Sequence, residues 1–350
     1  SRTREKADKL TYTQAEVTAK DTAARAGRKN LIINGGFDVW QRGTSLTAAS
    51  SYLADRWANG TSEAQSRQAF TVGQTEVDGN PTYYHRSGGG GSAYYGLDHK
   101  IENVGTLSGK EVTLSYWMKG SSAFTNAPYR GQNFGSGGSS GVEAALSTSS
   151  ITTSWVRYTH TFTFPSISGK TVGASSFSQL NVFRANIANI VVDIANVQLE
   201  LGSVATDFEH RSYGEILADC QRYFYNPLYN LGGSRGQFTL DYLVSSGNNG
   251  WITWIVPFPV SMRANSTFSH SLTPAKFLGS AAPADGADNF SFYIQNQGYA
   301  GLVGNGSIAN LGGGGQYHGI VGTYYCSPSS TSASHIFIGN GCTFQFSAEL

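Results

Sequence analysis

From Asn30 onward, apolar and polar residues alternate with a period of two, the pattern of strands that bury one face. The segments 110–119 and 155–164 both place apolar side chains at every second position. Successive side chains of an extended strand point to opposite sides of a sheet, so each segment has one core-facing side. The glycine-serine tracts at 88–91 and 135–141 predict exposed loops between such segments. Short strands joined by such turns are typical of a β-sandwich or jelly roll.

Composition agrees with a mainly β chain. Of the 350 residues, 43 are glycine, 13% are aromatic and only 13% are charged. Many aromatics with little charge favour turned β-structure over a helical protein and exclude a disordered chain. The length exceeds the usual size of one domain, so more than one core is expected.

The segment 190–201 changes face halfway along. Its apolar side chains fall on even positions up to Ile194 and on odd positions from Val197. Such a change of parity predicts a β-bulge or a crossing between sheets.

One short helix is predicted next. Ser212 and Glu215 fit a capping box, in which each side chain bonds the other residue's backbone amide. The apolar residues that follow share one helical face: Ile216, Leu217, Cys220, Tyr223 and Phe224. Asn226 and Pro227 are expected to stop this helix, which would link two β-domains.

A second β-region is expected after this helix. Alternating or wholly apolar segments occur at 238–244, 251–260 and 290–294. At the end of the chain, 335–338 and 342–346 flank Asn340-Gly341, a dipeptide typical of tight hairpin turns. We therefore expect two β-sandwich, jelly-roll-like domains and a final hairpin.

Residues 1–29 are different in character. Leu10, Val17 and Ala24 recur every seven residues, which is a thin coiled-coil seam that would need identical copies to pair. The segment holds eight basic and four acidic residues. It is either a solvated helix or a helical segment that docks on an acidic surface of a neighbouring protein.

Several function classes find no support in the sequence. A net charge of +1 gives no general attraction to nucleic acid, and no apolar stretch is long enough to span a membrane. Three separate cysteines do not form a disulfide framework or a zinc site. The G-x-S-x-G match at 137–141 lies in a low-complexity loop, without the strand and helix that a nucleophile elbow needs. We expect a protein that is not an enzyme.

Five blocks carry a resemblance to a known family: Asn30–Asp38, Trp40–Ser45, Ala54–Trp57, Asn196–Arg211 and Pro257–Arg263. The first resembles the opening strand of carbohydrate-binding-module-like β-sandwiches. Together the blocks resemble bacteriophage tail-fibre and minor structural proteins, with Gly214–Phe224 similar to the helix that leads into their distal domain.

The resemblance implies a virion protein, made in the bacterial cytoplasm and acting outside the cell. It would be a homotrimer that docks on other tail proteins by its N-terminal segment and binds a host-surface polysaccharide or lipopolysaccharide. The expected domains are an attachment segment at 1–29, a carbohydrate-binding-module-like sandwich at 30–211, a linker helix at 212–225 and a receptor-binding distal sandwich at 226–350.

Glycan binding needs aromatic faces for sugar rings and polar groups for hydroxyls. One candidate set is Tyr83, Tyr84, Tyr94 and Tyr95, which flank a glycine tract close to Asp98 and His99. The favoured set is distal: Tyr293, Tyr299, Tyr317, His318, Tyr324 and Tyr325. The alternative for each tyrosine is an ordinary core or cross-strand position.

No cofactor is expected to be required. In related sandwiches a structural calcium lies where the first strand meets the last, and the resemblance places Asp38 and Asp193 there. The alternative is that both are ordinary surface or turn aspartates.

Two other functions stay open. A polysaccharide depolymerase would need paired carboxylates, for which Glu200, Asp207 and Glu209 are available, although a structural role suits their family block better. The other is a purely architectural tail spacer.

Overall fold

The structure, a computed structural model, is described here at residues 28–47, 51–60, 64–88, 95–185 and 189–226, and at 250–264, 344–350 and short strands between them. Beyond residue 226, side chains are described only at 258–264, 345 and 347–350. The helix expected within residues 1–29 lies outside the described residues, apart from the last two positions.

The described chain contains one α-helix, α1 at Tyr213–Gln221, and a 3₁₀ turn at Val104–Leu107. The strands up to α1 are β1 Ser45–Thr47, β2 Trp57–Asn59, β3 Ala64–Ala69, β4 Tyr83–Gly88, β5 Tyr95–Glu102, β6 Glu111–Gly120, β7 Phe124–Asn126, β8 Tyr129–Asn133, β9 Val142–Ala145, β10 Ser149–Ile151, β11 Val156–Thr163, β12 Phe177–Ala185 and β13 Val191–Leu201. Those after it are β14 Phe224–Tyr225, β15 Gln237–Phe238, β16 Tyr242–Val244, β17 Gly250–Met262, β18 Thr267–His270, β19 Phe290–Tyr293, β20 Ala300–Leu302, β21 Ser307–Leu311, β22 Tyr317–Pro328, β23 His335–Ile338 and β24 Phe344–Ser347. The chain is mainly β, as the alternation predicts.

The chain divides into two compact units. The first lies within Ser1–Asp38, Ser45–Ser51 and Ala58–Arg211, and the second within Val39–Thr44, Tyr52–Trp57 and Ser212–Leu350. Two short segments close to the N-terminal end of the first unit thus belong to the second.

Two large antiparallel sheets and a two-stranded sheet of β10 and β7 form the first unit. One has six strands in the order β1-β3-β4-β13-β6-β11, and the other has five in the order β2-β5-β12-β8-β9. Strand β6 shows the predicted alternation: Leu114, Tyr116 and Met118 are fully buried, whereas Trp117 and Lys119 on its other side are partly exposed. The core of this β-sandwich is therefore built from the inward halves of alternating strands.

Bulges interrupt the central strand of each sheet. In β13 the register against β6 shifts between Ala195 and Gln198, where Asn196 has a φ of 46°. This shift confirms the predicted change of face within 190–201. In β12 the register against β5 shifts between Asn181 and Phe183, and both Val182 and Phe183 are buried.

A network of buried polar side chains connects the six-stranded sheet with the five-stranded sheet. The hydroxyl of Tyr116 on β6 lies 3.1 Å from His160 Nε2, and Asn126 Nδ2 donates to the same hydroxyl at 3.2 Å. Asn126 Nδ2 also donates to the carbonyl of Val182 on β12 at 3.0 Å, and its Oδ1 accepts from the backbone of Arg184. Each of these buried groups needs its partner because water cannot replace it there.

Replacing Tyr116 with phenylalanine should lower the free energy of unfolding by about 1–3 kcal/mol, since His160 loses a buried hydrogen-bond partner. Urea unfolding of the full chain measures the change. Tyr158→Phe is the matched control, because that hydroxyl bonds backbone groups at exposed positions. Equal losses in the two variants would contradict a structural role for the Tyr116 hydroxyl.

The helix α1 begins as predicted. Ser212 Oγ accepts from the Glu215 amide, and the Glu215 carboxylate accepts from the Ser212 amide at 3.1 Å. The predicted end of this helix, just before Asn226, is wrong. The helix stops at Gln221, because Phe224 and Tyr225 pair with β24 instead of extending the helical face.

The distal strands are predicted only in part, and their pairing is not. Strands β17, β19 and β23 match predicted segments, whereas β18, β20, β21 and β22 are not predicted. Strand β17 covers the predicted apolar segment and pairs with β22 and β16. The predicted final hairpin is wrong: β23 pairs with β15 and β19, whereas β24 pairs with β14 and β18. Several short strands in this region have the same alternation of apolar and polar residues, so each can pair with more than one neighbour. The Asn340-Gly341 dipeptide alone therefore does not determine which strands β23 and β24 pair with.

The family blocks at 40–45 and 54–57 hold the second unit together. Gln41 donates to both carboxylate oxygens of Asp55, at 2.7 and 2.8 Å, and its amide nitrogen also reaches the carbonyl of Phe224. Arg42 stacks over the Phe224 ring and Arg56 over the Tyr223 ring, each at 3.5 Å.

The Glu349 carboxylate binds the same two arginines. It pairs with Arg42 at 3.2 Å and with Arg56, whose side chain is 1% exposed. The adjacent Ala348 amide donates to the Tyr223 carbonyl at 2.7 Å. The arginines of these two blocks therefore bind the last residues of the sequence and the two rings that follow α1.

Replacing Glu349 with alanine should destabilise the second unit by roughly 3–5 kcal/mol, because Arg56 would remain buried without its counter-charge. The change is measured by urea unfolding of the full chain. Glu111→Ala, which removes an exposed carboxylate from β6, is the control and should change stability little. A loss below about 1 kcal/mol would show that other groups compensate Arg56.

Candidate functional site

The outward side of the five-stranded sheet carries a dense set of polar and aromatic side chains. Alternation places them on the side opposite the core, since Leu97, Leu180 and Ser178 are buried between them. We call this surface the polar face. Its members are Asp98, Lys100 and Glu102 of β5, Phe177, Gln179, Asn181 and Arg184 of β12, Tyr129 of β8 and Glu143 of β9.

The strand register brings these residues together from distant parts of the chain. Asn181 of β12 pairs with Asp98 on one side and with Tyr129 on the other. Gln179 pairs likewise with Lys100 and Gly131. Three neighbouring strands therefore contribute adjacent groups to one surface.

A carboxylate between two amides forms the centre of the polar face. Asn181 Nδ2 donates to Asp98 Oδ1 at 2.5 Å, and Gln179 also hydrogen-bonds this carboxylate. Burial raises the pKa of Asp98, while the two amides and Lys100 oppose that rise. The group thus combines hydrogen-bond donors and acceptors at fixed positions, as recognition of hydroxyl groups requires.

Aromatic rings lie toward the two ends. The guanidinium of Arg184 stacks over the Tyr129 ring at 4.2 Å and approaches Glu143 at 3.8 Å. The Lys100 ammonium lies 4.8 Å from the centre of the Phe177 ring. Four residues of β12 separate the two ends, which corresponds to about 13 Å along an extended strand.

Arg184 reaches the polar face because of the bulge in β12. Phe177, Gln179 and Asn181 face outward at odd positions, but the extra residue shifts the parity so that Phe183 is buried and Arg184 faces outward. Without the bulge, no cation would stack on Tyr129 from this strand.

The sequence-predicted glycan residues are only partly placed. Tyr95 begins β5, whereas Tyr94 lies outside the described residues. Of the distal set, Tyr293 lies on β19 and Tyr317, His318, Tyr324 and Tyr325 lie on β22. Tyr299 and the side chains of the five other residues in this set lie outside the described part, so the distal site stays a prediction.

The aspartates of the calcium prediction have different surroundings. Both carboxylate oxygens of Asp193 accept from Arg86, at 2.7 and 2.8 Å. Asp38 is largely buried near His210, and burial raises its pKa. Within the described residues, no three His, Cys, Asp or Glu side chains are grouped as a metal site would need. Calcium binding at Asp38 and Asp193 stays a prediction.

Two of the carboxylates considered for a depolymerase, Glu200 and Glu209, accept hydrogen bonds from backbone amides. Glu200 accepts from the Thr206 amide at 2.9 Å and from its hydroxyl at 2.5 Å. Glu209 accepts from the Asn30 amide at 2.8 Å. Glu200 fixes the loop after β13 and Glu209 binds it to the segment at Asn30, so both carboxylates have structural roles. The structure has no strand at Asn30–Asp38, where the resemblance implies an opening strand.

Most residues of the polar face are not among the glycan-binding residues predicted from the sequence. The prediction includes Asp98 but not Tyr129, Gln179, Asn181 or Arg184. The alternation Phe177-Ser178-Gln179-Leu180-Asn181, with polar and aromatic groups opposite a buried leucine, was the available signal.

No family model matches the chain, and no curated protein matches it. Solved structures that resemble it include the CBM22-1–GH10 modules of the Clostridium thermocellum endo-1,4-β-D-xylanase 10B (13% identity, TM-score 0.34), with 48% of this chain and 28% of that chain covered. The CBM22-2 xylan-binding domain of a Paenibacillus barcinonensis protein is 12% identical with a TM-score of 0.32, covering 42% of this chain and 92% of the other. Tailspike protein 4 of bacteriophage CBA120 is 12% identical with a TM-score of 0.29, covering 50% and 22%.

This chain spans about a quarter of the length of the xylanase and tailspike chains. Because these TM-scores are below 0.5, the function has to be inferred from the chain's own side chains. Within the described residues, no helix is both long and apolar enough to cross a membrane.

Proposed function

We propose that this chain is a non-enzymatic protein that binds a neutral oligosaccharide segment of a cell-surface glycan on its polar face. In the wider role that the sequence resemblance implies, it is a trimeric phage tail protein that attaches to the virion through residues 1–29 and mediates adsorption outside the cell.

The observation that carries the proposal is the combination at Asp98. A largely buried carboxylate is held by Asn181 and Gln179 on the same sheet surface that presents two rings, Tyr129 and Phe177. Sugars offer both an apolar ring face and hydroxyls that donate and accept, so they match this mixture better than a purely apolar or purely ionic ligand does.

The charge of the polar face favours a neutral ligand. It carries three carboxylates, Asp98, Glu102 and Glu143, against two cations, Lys100 and Arg184. Arg184 is already directed at Glu143. An anionic glycan would meet an excess of negative charge, whereas a neutral one would not.

Affinity should rise with oligosaccharide length and then level off, because Phe177 and the position opposite Tyr129 lie four residues apart on β12, about 13 Å along the strand and further than one sugar ring reaches. Calorimetric titration with a length series of the best neutral ligand from a bacterial glycan array measures this. Tyr129→Ala should weaken long oligosaccharides by roughly tenfold and single sugars less.

Val72→Ser is the control for Tyr129→Ala, since Val72 is 96% exposed on a loop away from the polar face. If no glycan on the array binds, or if Tyr129→Ala binds like the unmodified chain, the proposed site is wrong.

Binding should also weaken on acidification. Protonation removes the Asp98 acceptor, and because burial raises the pKa of Asp98 the loss should begin at a higher pH than for an exposed aspartate. Titrations between about pH 7.5 and about pH 4 test this. Asp98→Asn should remove that pH dependence, while Glu111→Gln should leave it unchanged.

The non-enzymatic part is tested separately. Purified chain incubated with host capsule or lipopolysaccharide should release no reducing ends over time, and sustained release would establish a depolymerase instead. For the adsorption role, added chain should block attachment of the phage to its host, and Asp98→Asn should block it less. A chain without effect on attachment would fit a tail spacer.

A further inference from the structure

The outward side of the six-stranded sheet carries a second cluster of aromatic rings. Phe70, Tyr84 and Trp155 contact one another, with ring centres 4.7–5.4 Å apart. Ala195 of β13 lies beneath them, and Trp117 of β6 packs against the same group. We call these five residues the aromatic patch.

The aromatic patch has the composition of a core but lies outside the sandwich. Val77 covers part of it from the loop after β3, where Gln74 fixes the loop by accepting from the Val77 amide and donating to its carbonyl. Phe70, Tyr84 and Trp117 nevertheless remain partly exposed. A cluster of this kind that is incompletely covered is a candidate binding surface.

A row of charges borders the aromatic patch. Arg86, Asp193 and Lys119 follow one another across β4, β13 and β6 in direct register. Asp193 is held by Arg86 through two hydrogen bonds and lies 3.9 Å from Lys119. One carboxylate, 5% exposed, therefore stands between two cations whose side chains are 38% and 28% exposed.

The four charges named around the aromatic patch (Arg86, Lys119, Asp193 and Glu76) sum to zero, but they are unevenly placed, and the Lys119 end is the positive one. Glu76 lies near enough to act on Tyr84, so the Tyr84 end of the patch is closer to neutral. At the other end, the Lys119 ammonium lies 5.0 Å from the centre of the Trp155 ring. Trp117 and Lys119 stand on the same side of β6, about 7 Å apart.

The spacing between Trp117 and Lys119 suits a sugar that carries a carboxylate. A sugar ring placed on Trp117 can direct an exocyclic carboxylate toward Lys119, where it would meet a cation that one buried aspartate does not fully neutralise. A neutral sugar would gain the stacking without the charge. The polar face has more carboxylates than cations, whereas the aromatic patch has a cation next to its exposed ring, so the two surfaces should prefer different sugars.

We propose that the aromatic patch is a second binding site, on the sheet opposite the polar face, for a sugar residue that carries a carboxylate. It uses Trp117 as the stacking platform and Lys119 as the carboxylate partner, while Arg86 holds Asp193 in place. It does not depend on ligand binding at the polar face.

The test uses the full chain, with oligogalacturonides as the acidic probe and their methyl esters as the matched neutral probe. Calorimetry should show that the acid binds about fivefold or more tighter than the ester, and that this preference shrinks as salt is raised. Equal affinity for both probes, or no binding of either, would overturn the proposal.

Variants locate the site. Lys119→Gln should remove the preference for the acid, while Lys110→Gln, on the loop before the same strand, should keep it. Trp117→Ala should weaken both probes by about tenfold, whereas Trp117→Phe keeps a ring and should retain most of the affinity. If Lys119→Gln leaves the preference intact, the carboxylate binds elsewhere.

Two more measurements, on Asp98→Asn and on Trp117→Ala, distinguish a sugar site at the aromatic patch from binding at the polar face and from a contact between copies of the chain. Asp98→Asn should leave oligogalacturonide binding unchanged, so failure of the polar face and failure of the aromatic patch give different results. If Trp117→Ala instead lowers the sedimentation coefficient of the unliganded chain, the patch is a contact between copies, and the sugar site is rejected.

Discussion

The side-chain alternation of extended strands is the constraint on which both surfaces of the first unit depend. In β12, the burial of Leu180 requires Gln179 and Asn181 to face outward, where they hold Asp98. In β6, the burial of Tyr116 and Met118 turns Trp117 and Lys119 outward in the same way. Packing of the core therefore also positions the groups on both outer faces, so neither surface is held by loops alone.

The residues with the most recognisable sequence pattern serve the fold. Asn30 accepts from the Ile32 and Leu199 amides and donates to the Val197 carbonyl, which fastens the first segment onto β13. Gln198 bonds backbone groups at 207 and 209 of the closing loop. Such residues hydrogen-bond buried backbone groups that have no partner in a neighbouring strand. A sequence motif made of them therefore reports on the fold and not on the ligand.

The sequence predicts those elements whose formation depends on residues close together in the chain. The strands β6 and β11, the change of face in β13 and the capping box of α1 all follow from neighbouring residues. Partners across a sheet do not, which is why β23 and β24 were wrongly joined as a hairpin. The polar face was missed for the same reason, since Tyr129 and Asn181 meet only through register and lie fifty-two positions apart in the chain.

The position of the bulge in β12 decides which kind of side chain the polar face presents. In a strand of regular alternation, Phe183 and not Arg184 would face outward beyond Asn181, so the bulge places a cation where a hydrophobic ring would otherwise lie near Tyr129. A bulge that formed one or two residues further along β12 would reverse this choice without any change in composition. The same scaffold can therefore present different chemistry through the placement of one backbone irregularity.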